Sequence, residues 1–180
     1  MSRPDADIET FLNYWKSLRN DGETIVRSDV FIDNPNPLFA SNTLILDYYP
    51  DDIIIRLQAT ELVERWGEDK TGQSMFDAPL PMNKSDMLLN VSRLIKQPCG
   101  LLSAHQTRTS GGRILVIETL GLPLLTPPDK PKRMVNYSWL INPLKDGEHS
   151  QAVTTYEKQE WIDIGAGIPS AAPLKPMLPK

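Results

Sequence analysis

From Asn42 to Asp77 the chain reads NTLILDYYPDDIIIRLQATELVERWGEDKTGQSMFD, and no other stretch limits the possible folds so tightly. TLILDYY is rich in β-branched and aromatic residues, Pro50 with Asp51 and Asp52 makes a turn, and IIIRLQ follows at once. A connection that short makes the two strands antiparallel neighbours. Thr60 then opens a capping pattern, T-E-L-V-E, and Leu62, Val63 and Trp66 form the apolar face of a short helix that Gly67 ends. The rest of the chain must supply what completes and covers this sheet.

Before this stretch, Ile8, Phe11, Leu12, Trp15 and Leu18 fall on one face of a helix, with Asp5 or Asp7 as cap and Gly22 as terminator. Such a stripe must be buried, against the sheet or against a second copy of the chain, and Phe11 with Trp15 is the expected dimer contact. Glu23 to Ser41 has no sustained period and carries Pro35 and Pro37, which reads as an arm over the surface.

After it, Pro79 and Pro81 precede a helix over Asn83 to Gln97 with Met87, Leu88, Val91, Leu94 and Ile95 at helical spacing, capped by Asn83 and stopped by Pro98. Strands follow at 100–109, 113–120 and 134–144, the first two joined by Ser110-Gly111-Gly112, and a last run over 154–164 adds an edge strand. The expected fold is α+β: a five-stranded antiparallel sheet with helices on one face and an N-terminal amphipathic helix. The segments are 1–41 for the helix and arm, 42–164 for the sheet domain, and 165–180 for a Pro-rich tail.

Charge excludes one class of partner. With 19 Lys and Arg against 23 Asp and Glu, and no basic cluster, the chain lacks the footprint of a nucleic-acid binder. No apolar run approaches the ~18 residues of a membrane span, and MSRPDADIET lacks the apolar core of a secretory signal, so the expectation is a cytoplasmic protein without a membrane span. One cysteine, Cys99, rules out an internal disulfide and a multi-cysteine metal site.

The element order is that of the PAS fold, and several blocks resemble one bacterial single-domain PAS family: YWKSLR at Tyr14 to Arg19, Arg27 with Asp29, LILDY at Leu44 to Tyr48, RLQATELVERWGEDKTGQSMFD from Arg56, ETLGLPL at Glu118 to Leu124, and IDIGAGIP at Ile162 to Pro169. The resemblance spans about Ile8 to Pro169. Ala59 stands where the family often has Gly, and ETIVRSD where it often has a Pro-containing block. The resemblance implies a signalling module with a pocket between sheet and helices, acting through a small-molecule ligand, a homodimer or a signalling partner, without catalysis. It leaves the ligand open, because this fold hosts haem, flavin, carboxylates, lipids or nothing.

Haem is disfavoured because the helix over Asn83 to Gln97 holds no histidine, and light-sensing flavin chemistry because Cys99 stands between Pro98 and Gly100 rather than in the required helical motif. No nucleophile elbow, phosphate loop or paired-His zinc spacing occurs, so neither catalytic nor metal-ligating residues are assigned. Asp47, Asp51 and Asp52 read as turn residues. The pocket candidates are Arg56, Trp66, Met87, Val91, Glu118 and Ser138, the last beside Trp139. Arg56 falls mid-strand among apolar residues and demands either a ligand anion or an internal carboxylate such as Glu118. Two alternatives stand beside a sensor: a ligand-free PAS scaffold, and a cone-shaped α+β protein of the NTF2-like kind using Asp47 or His105 as acid or base.

Overall fold

The computed structural model of the chain describes residues 7–77 and 83–169, apart from the side chains of residues 152, 153 and 155–157. The expected separator at Pro79 and Pro81 and the tail beyond residue 169 lie outside the described residues. The chain runs α1 (Ile8–Ser17), β1 (Val26–Arg27), α2 (Ser28–Asp33), a one-turn helix at Ala40–Asn42, β2 (Thr43–Tyr48), β3 (Ile53–Gln58) and α3 (Thr60–Trp66). It continues through a second one-turn helix at Met75–Asp77, α4 (Lys84–Lys96), β4 (Gly100–Thr109), β5 (Ile114–Leu125), β6 (Lys132–Leu140) and β7 (Ser150–Ile162).

β2 and β3 form the expected tight hairpin, and β6, β5 and β4 continue the sheet antiparallel in the order β3-β2-β6-β5-β4-β7. The expected five strands thus form the body of a seven-stranded sheet. β7 is longer than the run read from sequence and pairs along the whole of β4. β1 adds two residues parallel to the end of β5, Val26 beside Leu124 and Arg27 beside Leu125. Strand β5 continues past the expected end at residue 120, through Pro123 to Leu125. The outer edge of β3 is covered by its own loop: Ile55 N donates to Gln73 O, Gly72 N donates to Ile55 O, and the buried Gln58 side chain bonds Glu68 O and Lys70 N.

Successive residues of a strand point to opposite faces, and both faces here are covered. On one, Ile45, Leu120, Leu122, Val135 and Tyr137 meet Phe11 and Trp15 of α1 and Val26, Phe31 and Phe39 of the arm. On the other, Leu44, Leu46, Ile53, Ile55 and Met134 meet Leu62 of α3, Met75, and Met87, Val91 and Leu94 of α4.

The N-terminal helix forms as read: Asp7 Oδ1 accepts from Thr10 N at 2.8 Å, and the apolar stripe faces inward. Its partner is the chain's own sheet. Phe11 and Trp15 are both 0% exposed, and the Phe11 ring stacks on Tyr137 with centroids 4.5 Å apart, while Phe39 meets both rings edge-on. The expected dimer contact through Phe11 and Trp15 is therefore corrected: Tyr137 of β6 and Phe39 of the arm occupy the Phe11 ring, and both stripe residues are enclosed by the chain's own core. The arm is likewise more ordered than its prolines predict, because Val26, Phe31 and Phe39 are drawn into this core. Residues 7–41 and the sheet share one buried cluster. The end of the described chain closes on α1, where Arg19 Nη1 donates to Ile164 O at 2.9 Å and Asp163 Oδ1 accepts from Gly165 N and Gly167 N.

α4 is capped by Asn83 Oδ1, which accepts from Ser85 N and Asp86 N. α3 differs in detail: its N-cap position is Ala59, so Thr60 makes no cap. Glu61 in its first turn instead accepts from Ser41 Oγ and Asn42 Nδ2, which ties the helix start to the turn before β2. Among the described residues no helix is long and apolar enough to cross a membrane.

Candidate functional site

The sheet face under α3 and α4 does not close completely. A cavity of about 120 Å³ remains between it and the two helices. Leu62 and Trp66 of α3, Met75 of the one-turn helix at Met75–Asp77, Met87 and Val91 of α4, and Met134 of β6 supply its apolar wall. Arg65, Ser103, His105, Thr119, Asn136 and Ser138 supply a polar floor, and Asn90 projects the same character from α4. A space of this size accepts a small organic molecule: an engineered apolar cavity of ~150 Å³ admits benzene.

Arg65 is the charged group of the site. It is 3% exposed, and its guanidinium donates to Ser138 Oγ at 2.8 Å and to Asn42 Oδ1 at 2.9 Å. Both acceptors are neutral. Among the described residues no carboxylate lies within ion-pair distance, and burial pulls the group down from its ordinary value to about 10 despite the more distant attraction of Glu61 and Tyr137. Asn42 bridges the two charges, accepting from Arg65 while donating to Glu61 at 2.7 Å. Ser138 Oγ in turn lies 3.3 Å from Thr119 Oγ1.

Asn90 is 1% exposed, and neither its Nδ2 nor its Oδ1 has a hydrogen-bond partner among the described residues. An amide buried in that state costs about 1–3 kcal/mol. Asn136 Oδ1 is likewise unpartnered. Gly121 makes room for it, since a Cβ there would stand 2.8 Å from both Asn136 Oδ1 and Met134 Cε. His105 is held well below the ordinary histidine value, at about 4, by burial and then by the positive Arg65, so at neutral pH it is uncharged and adds no second cation. Among the described residues that line this cavity there is no Asp, Glu or Cys. Its guanidinium, hydroxyls and amides beside an apolar wall are suited to holding a molecule.

The structure brings Trp66, Met87, Val91 and Ser138 together around this space. Arg56 and Glu118 lie elsewhere, and both expectations are corrected. Ile45 pairs with Leu57 and Leu46 with Ile55, so Arg56 is the extra residue of a β-bulge, and its side chain is exposed at the sheet edge. Glu118 sits opposite Ala104 and Trp139, one residue out of phase with Thr119 and Ile117, on the face that α1 covers. The two do not meet. The missed residues are Arg65 and Asn90, each three positions after an apolar residue of a helical stripe, Leu62 and Met87. A polar side chain at such a position was the signal available.

The cone-shaped alternative uses Asp47 or His105 as acid or base; His105 lines this cavity and Asp47 does not. Asp47 instead faces the α1 side and accepts from Arg133 Nε at 2.7 Å and Nη2 at 3.3 Å, with Arg133 Nη1 on Ser28 Oγ. Cys99 is fully buried, and burial pushes its thiol up to about 11.

No protein-family model and no curated protein sequence matches the chain. Among solved structures it is similar to the PAS domain of an HTR-like protein from Haloarcula marismortui, at 18% identity over 58% of this chain and 86% of that one, with a TM-score of 0.43. It is also similar to a LOV protein of Rhodobacter sphaeroides, at 10% identity over 58% of this chain and 60% of that one, with a TM-score of 0.42. A third similarity is to VqmA of Vibrio cholerae, at 8% identity, 60% and 55% coverage and a TM-score of 0.40. On its own order of elements, a hairpin, short helices, a longer helix and a three-stranded antiparallel meander in one sheet, the chain has a PAS-type fold.

Proposed function

We propose that the protein is a sensory module of the PAS type, whose cavity between the sheet and α3 and α4 takes up a small molecule and whose output is a change in contacts with a partner protein. The carrying observation is Asn90, an amide 1% exposed on the wall of a 120 Å³ space with both of its polar ends unpartnered. A fold without a ligand gains nothing from that amide, because leucine at the same place would carry no such cost. The mixed lining supports the same reading, apolar walls giving affinity and a few convergent polar groups giving orientation.

Uptake has a route to the surface. Arg65 in the floor holds Asn42, Asn42 holds Glu61, and the one-turn helix at Ala40–Asn42 follows Phe39, which packs on Phe11 of α1. A ligand that changes the hold of Arg65 on Asn42 alters the seating of that turn.

Native mass spectrometry of the protein purified from its native source tests the proposal. A retained mass of a small organic molecule, released on denaturation, is the expected result. A protein that is empty in that experiment, and that binds nothing from a small-fragment library, is the ligand-free scaffold instead.

A further inference from the structure

We infer that the ligand is a small organic carboxylate with an apolar body, its carboxylate held by Arg65 and its body lying between Trp66, Met87 and Val91. This rests on the sensory reading above and assigns the chemical class of its ligand.

Three observations carry it. First, Arg65 is a buried cation whose two hydrogen bonds go to a hydroxyl and an amide oxygen, with no carboxylate in contact among the described residues. A guanidinium has five N–H donors, and its fork matches a carboxylate in a bidentate pair. Second, the floor beside it is made of hydroxyls. Ser138, Thr119 and Ser103 line the cavity, and each hydroxyl can turn its proton toward an oxyanion. Third, Asn90 stands on the wall with an unpartnered Nδ2 donor and Oδ1 acceptor, a second point of attachment outside the cation's own shell. Among the described residues no lysine or further arginine lines this space, so no other cation competes there.

Size and lining fix the rest of the class. At about 120 Å³ the space is on the order of a single small ring or a branched chain of a few carbons. An inorganic anion would satisfy Arg65 and leave the thioether and aromatic walls facing nothing. A neutral hydrocarbon would fill the walls and leave Arg65 without a counter-charge and Asn90 without partners, which costs affinity.

The test uses benzoate and 3-methylbutanoate as probes, with benzamide, benzyl alcohol and inorganic phosphate as comparisons, titrated calorimetrically into dialysed full-length protein at neutral pH. Saturable one-to-one binding of at least one acid is expected, with benzamide weaker by about tenfold or more. Arg65→Met should weaken the acid by about tenfold or more, Arg65→Lys less, with folding checked by circular dichroism. Asn90→Leu, which is expected to fold at least as stably as the parent, should weaken it by a similar factor. Benzamide binding as tightly as benzoate, or phosphate binding in preference to either acid, overturns the carboxylate assignment and leaves the sensory reading standing. Failure of both acids to bind at millimolar concentration overturns the assignment. If a neutral molecule is retained in native mass spectrometry, only the class is wrong; if the protein is empty, the sensory reading falls as well.

Discussion

Asn90→Leu should make the ligand-free protein more stable. The amide is 1% exposed, and neither Nδ2 nor Oδ1 finds a partner among the described residues. Leaving such a group unpaired costs about 1–3 kcal/mol, and an apolar replacement of similar shape removes that cost. Leucine is slightly larger than asparagine, but the adjoining 120 Å³ of empty space takes up the difference without overpacking. The expected gain is therefore about 1–3 kcal/mol, or about 2–4 °C in Tm per kcal/mol for a chain of this size. Dialysed parent and variant should be unfolded by heat and by urea, followed by circular dichroism, with an unchanged urea slope confirming that only stability has moved. A variant less stable than the parent by about 1 kcal/mol or more would mean that the amide is already satisfied in the folded protein. The reasoning that reserves it for a ligand would then fail.

The remaining predictions concern the frame around the cavity. Trp15→Ala and Phe11→Ala should each cost about 3–5 kcal/mol in urea unfolding, because both side chains are fully enclosed by the chain's own core; a change in sedimentation without loss of stability would contradict this. Asp47→Ala should cost about 3 kcal/mol by leaving Arg133 without its carboxylate, and adding Arg133→Met should recover part of it, a coupling that a double-mutant cycle measures. His105 has a folded-state pKa lowered from 6.5 to about 4, so the unfolded chain binds the proton first. Its stability contribution is fully present above pH ~6.5 and is lost as pH falls toward ~4, by at most about 3 kcal/mol, and His105→Gln should remove that part of the pH dependence. Gly121→Ala should push Asn136 and Met134 into the cavity and weaken benzoate binding while moving stability by about 1 kcal/mol or less.

Element types were legible because their signals are local: the alternating strands, the Asp7 and Asn83 caps, and the glycine at the end of α3 all act within a few residues. The partner of the α1 stripe was not, because a helix face with Phe11 and Trp15 looks the same whether it meets its own sheet or another copy; Tyr137, more than a hundred residues away, decides it. Strand parity was the second obstacle. A single extra residue at Arg56 turns the end of β3 over, and nothing in IIIRLQ announces a bulge. Arg65 and Asn90 were within reach, since each is a polar residue set into a helical apolar stripe, and reading the stripes as apolar lists passed over both.

Joint binding of one small carboxylate by Arg65 and Asn90 underlies the proposed ligand class. It is tested most directly by nuclear magnetic resonance on isotope-labelled protein titrated with benzoate, following the Arg65 Nε–H and the Asn90 side-chain amide signals. Both signals are expected to shift and saturate together, with one dissociation constant, while signals on the α1 side of the sheet move little. Benzoate that leaves both signals in place, or that moves only residues on the protein's outer surface, would contradict it.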